Sequence, residues 1–299
     1  MPKDRGIEPQ RLPLQQTLDA LPPQWSQDPL PEIRDIVARS VKKIVVFDDD
    51  PTGTQTVHDV PVLTEYSEDA LSREMAEDLP VFYLLTNSRG LPETQARELN
   101  ATIARNLAQA SKRTGKDFVL VSRSDSTLRG HFPAEIDAIV DAIDLEYDGL
   151  IFTPFFLEGG RYTVNNVHYV AEGDWLTPAG QTEFARDPAF SFQSSDIPAY
   201  IEEKTGGAVK ADAVIMISLE DVRNGGPGRI SEILSQVTGR TVVGVNAVSM
   251  RDIEVFVLGL LRTEGKRFIF RTAASLLRAM LGQEGRPLLT AVEMNAHDA

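Results

Sequence analysis

The chain has 299 residues, a net charge of −14, no cysteine and a 42% apolar content. That content supports a buried core and excludes a disordered chain, and the length allows one large domain or two small ones. Without cysteine there is no disulfide, thiol nucleophile or zinc-thiolate site, and the acidic balance argues against nucleic-acid and anionic-membrane partners while leaving room for a local pocket that takes a small anion.

Residues 1–42 are expected to form an N-terminal arm and a short helix. The arm is rich in proline and glutamine, with an amphipathic turn around Leu14, Leu18 and Leu21, Trp25 as an anchor, and the helix at Glu32 to Val41. No apolar run approaches membrane-spanning length. The N-terminus lacks a charged region followed by an apolar core, so a cytoplasmic protein is expected.

Lys43 to Phe47 reads as a buried strand, a short β-branched run. It ends in Asp48-Asp49-Asp50-Pro51-Thr52-Gly53. Adjacent aspartates repel one another, so they call for a cation, an arginine or substrate hydroxyls; a solvated acidic turn is the alternative. Val60 to Thr64 is a further short strand and Ser67 to Glu77 a helix capped by Ser67. The strand Val81 to Leu85 runs into Thr86-Asn87-Ser88-Arg89-Gly90. A helix from Pro92 then places Leu99, Ile103 and Leu107 on one face, and Gly115 breaks it.

Phe118 to Val121 is the next strand, followed by Ser122 to His131, a loop with two arginines, an aspartate and several hydroxyls. Arg123, Arg129 and the amides of the following helix, Pro133 to Ile143, could hold an anion; Asp125, Ser126 and Thr127 could bind sugar-type hydroxyls. Gly149 to Thr153 is a strand ending in a turn with Gly159, Gly160 and Arg161. Residues 164–210 are the least regular part, with a strand at Val167 to Val170 and a helix at Pro198 to Lys204.

Alternation then resumes: strand Ala213 to Ile217, a glycine-rich turn at 225–228, helix Ile230 to Val237 and strand Thr241 to Val245. After these come a helix carrying Ile253, Phe256 and Leu260, the strand Arg267 to Phe270 and the helix Ala273 to Leu281. The pattern predicts an α/β fold of three layers, a mostly parallel sheet with helices on both faces. In such a sheet the four polar clusters that follow strands converge along one edge.

Together these clusters offer carboxylates, hydroxyls and guanidinium groups, a set suited to a small polyhydroxylated acid. An aspartate could also take a proton from a hydroxyl attacking a phosphoryl donor. No phosphate-cradling glycine motif follows a strand. The four histidines show no metal-ligand spacing, and no metal site is assigned.

Asp49-Asp50-Pro51-Thr52-Gly53, Ser88-Arg89 and the unbroken Asp125-Ser126-Thr127-Leu128-Arg129-Gly130 stand in that order. Gly160-Arg161-Tyr162-Thr163, Phe184 to Pro188 and Arg271 to Ser275 follow. Together they resemble the N-terminal domain of the four-carbon acid sugar kinase family. Asn87 stands where members often carry an acidic residue, and Arg123 where a lysine is common.

The resemblance implies a sugar-acid-binding domain over 43–281 and a tail at 282–299 where the nucleotide-binding domain would begin. It implies an ATP-dependent kinase acting on the terminal hydroxyl of threonate, erythronate or 3-oxo-tetronate. ATP and magnesium would sit outside this chain, on a separate or missing nucleotide-binding domain or subunit. Asp49 and Asp50 are the implied catalytic residues. The implied substrate-binding residues are Thr52, Gly53, Ser88, Arg89, Asp125, Ser126, Thr127, Arg129, Gly130 and Arg161. Alanine at Asp125 or Arg129 is then expected to weaken binding with the fold intact.

Two other readings compete. One is a non-catalytic sugar-acid-binding or interaction module. The other is a magnesium-dependent phosphatase of the haloacid-dehalogenase type, with Asp48 as nucleophile and Asp50 as acid/base.

Overall fold

The structure, a computed structural model, describes residues 9–286. Residues 1–8 of the expected arm and 287–299 of the expected tail lie outside them.

Eight strands form one sheet: β2 (Lys43–Asp48), β3 (Val62–Leu63), β4 (Val81–Leu85), β5 (Phe118–Arg123), β6 (Gly149–Thr153), β10 (Ile215–Ile217), β11 (Thr241–Val245) and β12 (Phe268–Thr272). Their order across the sheet is β10-β11-β6-β12-β5-β2-β4-β3, and every neighbouring pair is parallel. Side chains alternate between faces, so Val46, Tyr83, Val121 and Ile151 belong to one core, while Val45, Phe47, Leu84 and Phe152 belong to the other. The first core is covered by α2 (Leu30–Arg39), α7 (Gly226–Ser235), α8 (Met250–Leu261) and α9 (Ser275–Met280). The second is covered by α3 (Glu68–Ala76), α4 (Glu93–Thr114), α5 (Ala134–Ile143) and α6 (Ile197–Lys204). A sheet buried on both faces explains why its strands are continuous apolar runs. The predicted three-layer α/β architecture is present.

Local chemistry sets several boundaries. The Ser67 hydroxyl accepts the Ala70 amide at 3.2 Å, and Gly115 ends α4 at φ 69°. Ser249 and Asp252 form a reciprocal cap on α8.

Two segments are more ordered than their sequence suggests. Within the stretch read as irregular, β7 (Arg161–Val164), β8 (Val167–Glu172) and β9 (Trp175–Pro178) form an antiparallel sheet, and β1 (Leu12–Pro13) adds to its edge. The arm continues as α1 (Leu14–Asp19). Its Leu12, Leu14, Leu18 and Leu21 pack against Val164, Tyr169 and Leu176, burial that a loose arm would lack. Pro22 accepts a hydrogen bond from Arg223 at 2.7 Å, and Trp25 packs on the main core. Among the described residues no helix is long and apolar enough to cross a membrane.

Candidate functional site

Asp48 to Asp50 emerge at the C-terminal end of β2, between the ends of β4 and β5. The three carboxylates have separate fates. Asp48 turns into the protein, where Arg123 donates to its Oδ1 from Nε at 3.0 Å and Nη2 at 2.7 Å. Burial pushes the Asp48 carboxyl up to about 6, with Arg123 pulling it back. Asp49 is also buried and meets Arg89 through two bonds, Nε to Oδ2 at 2.9 Å and Nη2 to Oδ1 at 2.6 Å. Arg89 reaches Asp50 Oδ2 with Nη1 at 2.9 Å. Burial pushes Asp50 up, but bonds from the Thr52 hydroxyl and amide and the charge of Arg89 outweigh it, leaving the carboxyl below its ordinary value.

These contacts overturn two expectations. Arg123 lines a cleft here, but its guanidinium is paired with Asp48, so it braces the site and is not a free cation for an anion. Asp48 is a poor candidate for a phosphatase nucleophile: it is 1% exposed, and its carboxyl packs so tightly under Gly53 that a Cβ built there would lie 1.9 Å from it. An aspartate so enclosed has no approach to a phosphorus atom.

The loop after β5 is held in an unusual backbone path. Thr127 and Leu128 are both left-handed, at φ 56° and 63°, a conformation that costs each of them about 1–3 kcal/mol. Asp125 Oδ1 accepts the Leu128 amide at 3.2 Å, and the Leu128 carbonyl accepts the Tyr200 hydroxyl at 2.8 Å. Gly130 sits at φ 118°, where a Cβ would lie 2.5 Å from the Ser124 carbonyl oxygen. Gly130→Ala is therefore expected to lower stability by about 2 kcal/mol or more, read as a fall in the denaturant midpoint.

Fully buried Arg271, at the end of β12, spans this loop. It donates to Ser124 Oγ at 2.5 Å and to the Arg129 carbonyl at 3.0 Å, and its guanidinium carbon lies 4.9 Å from the Phe132 ring centroid. It approaches Asp125 Oδ2 only to 3.6 Å, and that oxygen has no hydrogen-bond partner. Burial raises the Asp125 carboxyl, with Arg271 opposing.

Arg129 pairs with Asp187 at 3.1 Å. Arg129 and Arg161 each place their guanidinium carbon 4.8 Å from the Phe184 ring centroid. Arg161 donates to Thr127 Oγ1 at 3.0 Å and to the Gly159 carbonyl. No carboxylate of the described residues pairs with it. Burial pushes its pKa down, and neighbouring Arg129 adds to that.

A cleft of about 80 Å³ lies among these groups. Of the sequence-predicted residues, Thr52, Arg89, Arg123, Asp125, Ser126, Thr127 and Arg161 line it. Asp49, Asp50, Gly53, Ser88, Arg129 and Gly130 are not among its lining residues. Gln55, Phe156, Ala273 and Ala274 also line the cleft and were not foreseen, nor was Glu135 behind Ser88. A larger cavity of about 570 Å³ lies at the opposite edge of the sheet among side chains such as Val37, Phe118 and Phe268, and lacks this mix of carboxylate, hydroxyl and guanidinium.

Comparison with known proteins shows what the chain is similar to. One curated relative, named D-erythronate kinase, from Heliobacterium modesticaldum, is 24% identical over 231 residues, covering 73% of this chain and 48% of its own length. The chain thus spans about half the length of the curated relative it matches. A Bordetella bronchiseptica domain of unknown function, crystallised with citrate as a domain-swapped dimer, superposes with a TM-score of 0.60 at 24% identity, over 80% of this chain and 55% of that one. A Haemophilus influenzae protein superposes at 0.56 with 19% identity, over 80% and 55%. The model of the sugar-binding N-terminal domain matches residues 44–280, from β2 through α9, and the chain belongs to that family.

Proposed function

We propose that this chain is the substrate-binding half of an ATP-dependent four-carbon sugar acid kinase. The observation that carries the reading is the pairing, in one cleft, of a buried carboxylate oxygen without a hydrogen-bond partner and a guanidinium without an ion pair: Asp125 Oδ2 and Arg161. A hydroxy acid supplies what each lacks. Its carboxylate takes the Arg161 guanidinium, and a hydroxyl donates to Asp125. Ser126, Thr127, Thr52 and Gln55 line the same cleft and offer further polar contacts. Membership of the sugar-binding family and the relative named as a D-erythronate kinase support the same class of ligand.

Asp49 and Asp50 are assigned to the proton that leaves the reacting hydroxyl. Both oxygens of Asp49 are taken by Arg89, whereas Asp50 is the more exposed and stays ionised near neutrality. The described residues do not fit the phosphoryl donor. They hold no group of three or more acidic or histidine side chains suited to a metal, and the sequence has no phosphate-cradling glycine motif after a strand. No step through ATP is derived from these residues, and the donor site is assigned to a nucleotide-binding domain or subunit outside them.

The test is calorimetric titration with threonate, erythronate and their 3-oxo relative, with and without ATP. Binding of one acid at an affinity indifferent to ATP is expected. Failure of all three to bind would overturn the reading.

A further inference from the structure

Glu135 has no place in the reading above, yet it is buried at 2% exposure directly behind the site. It lies in the first turn of α5, the helix that follows the Asp125 loop. Its Oε1 accepts the Ser88 hydroxyl and, at 3.2 Å, the side-chain amide of Asn100 from α4. Ser88 in turn shares a 2.9 Å hydrogen bond with Thr86 and precedes Arg89, the residue that clamps Asp49 and Asp50. One carboxyl therefore ties the turn after β4 to the loop after β5.

The charges around it do not balance. Asp49 is its main charged neighbour, with Arg89 across that aspartate, and Arg271 approaches from β12. From α4, Arg97 donates to the carbonyl of neighbouring Ala134, while Asp125 and His131 stand in the loop leading into α5. Counting Asp48 and Asp50 as well, five carboxyls stand here; Arg89, Arg123 and Arg271 pair with four of them, and Arg97 is engaged with a backbone carbonyl. The carboxyl left without a guanidinium partner is Glu135, and a proton on it removes the repulsion between it and Asp49.

We infer that Glu135 is a positioning residue that joins the two ligand-gripping loops and takes up a proton as an acid anion binds. The inference rests on the sugar-acid reading of the cleft. Burial raises the Glu135 carboxyl to about 7, and the charge of Asp49 adds to that. A bound anion pushes the same way, so the proton is held more tightly in the complex, and affinity falls as pH rises through neutrality.

The experiment compares the chain with Glu135→Gln, which keeps an oxygen for Ser88 and Asn100 but carries no charge. Titrations with the sugar acid that binds best run from about pH 6 to about pH 8.5, in two buffers of different ionisation enthalpy. Wild-type affinity is expected to fall about three- to tenfold over that range, with a buffer-dependent heat. The variant is expected to bind with a flat profile and no buffer dependence. A variant that keeps the wild-type profile overturns the inference.

The thermal midpoint gives a second readout that needs no ligand. A carboxyl whose pKa is raised by folding contributes its stability in full below about pH 4 and loses it as pH climbs through about 7. That loss is expected to be larger in the wild type than in Glu135→Gln, where the raised Asp48 carboxyl still contributes to it. Identical midpoint profiles overturn the proton-holding role. Absence of any acid binding, with the midpoint difference present, overturns the sugar-acid reading and the coupled uptake while leaving Glu135 as the proton carrier.

Discussion

Arg123→Ala is expected to destabilise the domain by about 3–5 kcal/mol, the largest effect of any single replacement around the site. Its guanidinium and the Asp48 carboxylate are nearly sealed from solvent, with side chains 4% and 2% exposed. Removing the arginine strands a carboxylate that already titrates high because of burial. The measurement is the denaturant midpoint with an unchanged unfolding slope. A control separates the stranded charge from lost packing: Asp48→Asn combined with Arg123→Met should be more stable than Arg123→Ala alone, because no buried charge is left unpaired. If Arg123→Ala costs less than about 1 kcal/mol, the Asp48–Arg123 pair is a surface-like contact and the buried brace does not exist.

Arg161→Ala is expected to do the reverse, weakening sugar-acid binding by about 10- to 100-fold while shifting stability by no more than about 1 kcal/mol. Arg161 gives up hydrogen bonds to Thr127 and the Gly159 carbonyl and its packing on Phe184, and no ion pair of the described residues is broken. A charge-assisted bond to a ligand carboxylate is stronger than either of those contacts. Calorimetry paired with a thermal melt checks both halves, and unaltered affinity would remove Arg161 from the site. Arg129→Ala is a less direct probe, since Arg129 already meets Asp187. Asp125→Ala, expected from sequence to leave the fold intact, exposes a different problem: it removes the carboxylate that comes within 3.6 Å of the buried Arg271 charge. Asp125→Asn keeps the acceptor for the Leu128 amide and is the cleaner replacement.

The legibility of the site varied with how local its signals were. Asp49, Arg89 and the Asp125 to Gly130 loop could be singled out because each stands in a polar stretch that follows an apolar strand, and parallel strands carry such loops to one edge. Glu135 had a readable signal as well. It lies four residues before Ile139, on the helix face that Ile136, Ile139 and Val140 bury. As an acidic residue in a first helical turn, however, it also matched the ordinary pattern of a solvated helix start.

By itself the sequence determined the alternation of strand and helix, the three-layer α/β class, and the polar loops that follow the strands. These follow from apolar periodicity and turn chemistry within short windows. The tertiary structure alone decided which charges point inward. It inserts β12 between β5 and β6, which brings Arg271 to a loop nearly 150 residues earlier in the chain. It also turns Asp48 onto Arg123 while Asp49 and Asp50 take Arg89. Three consecutive aspartates look alike in sequence; they part because pairing across strands gives each a different neighbour, and in a low-dielectric interior the neighbour sets the charge.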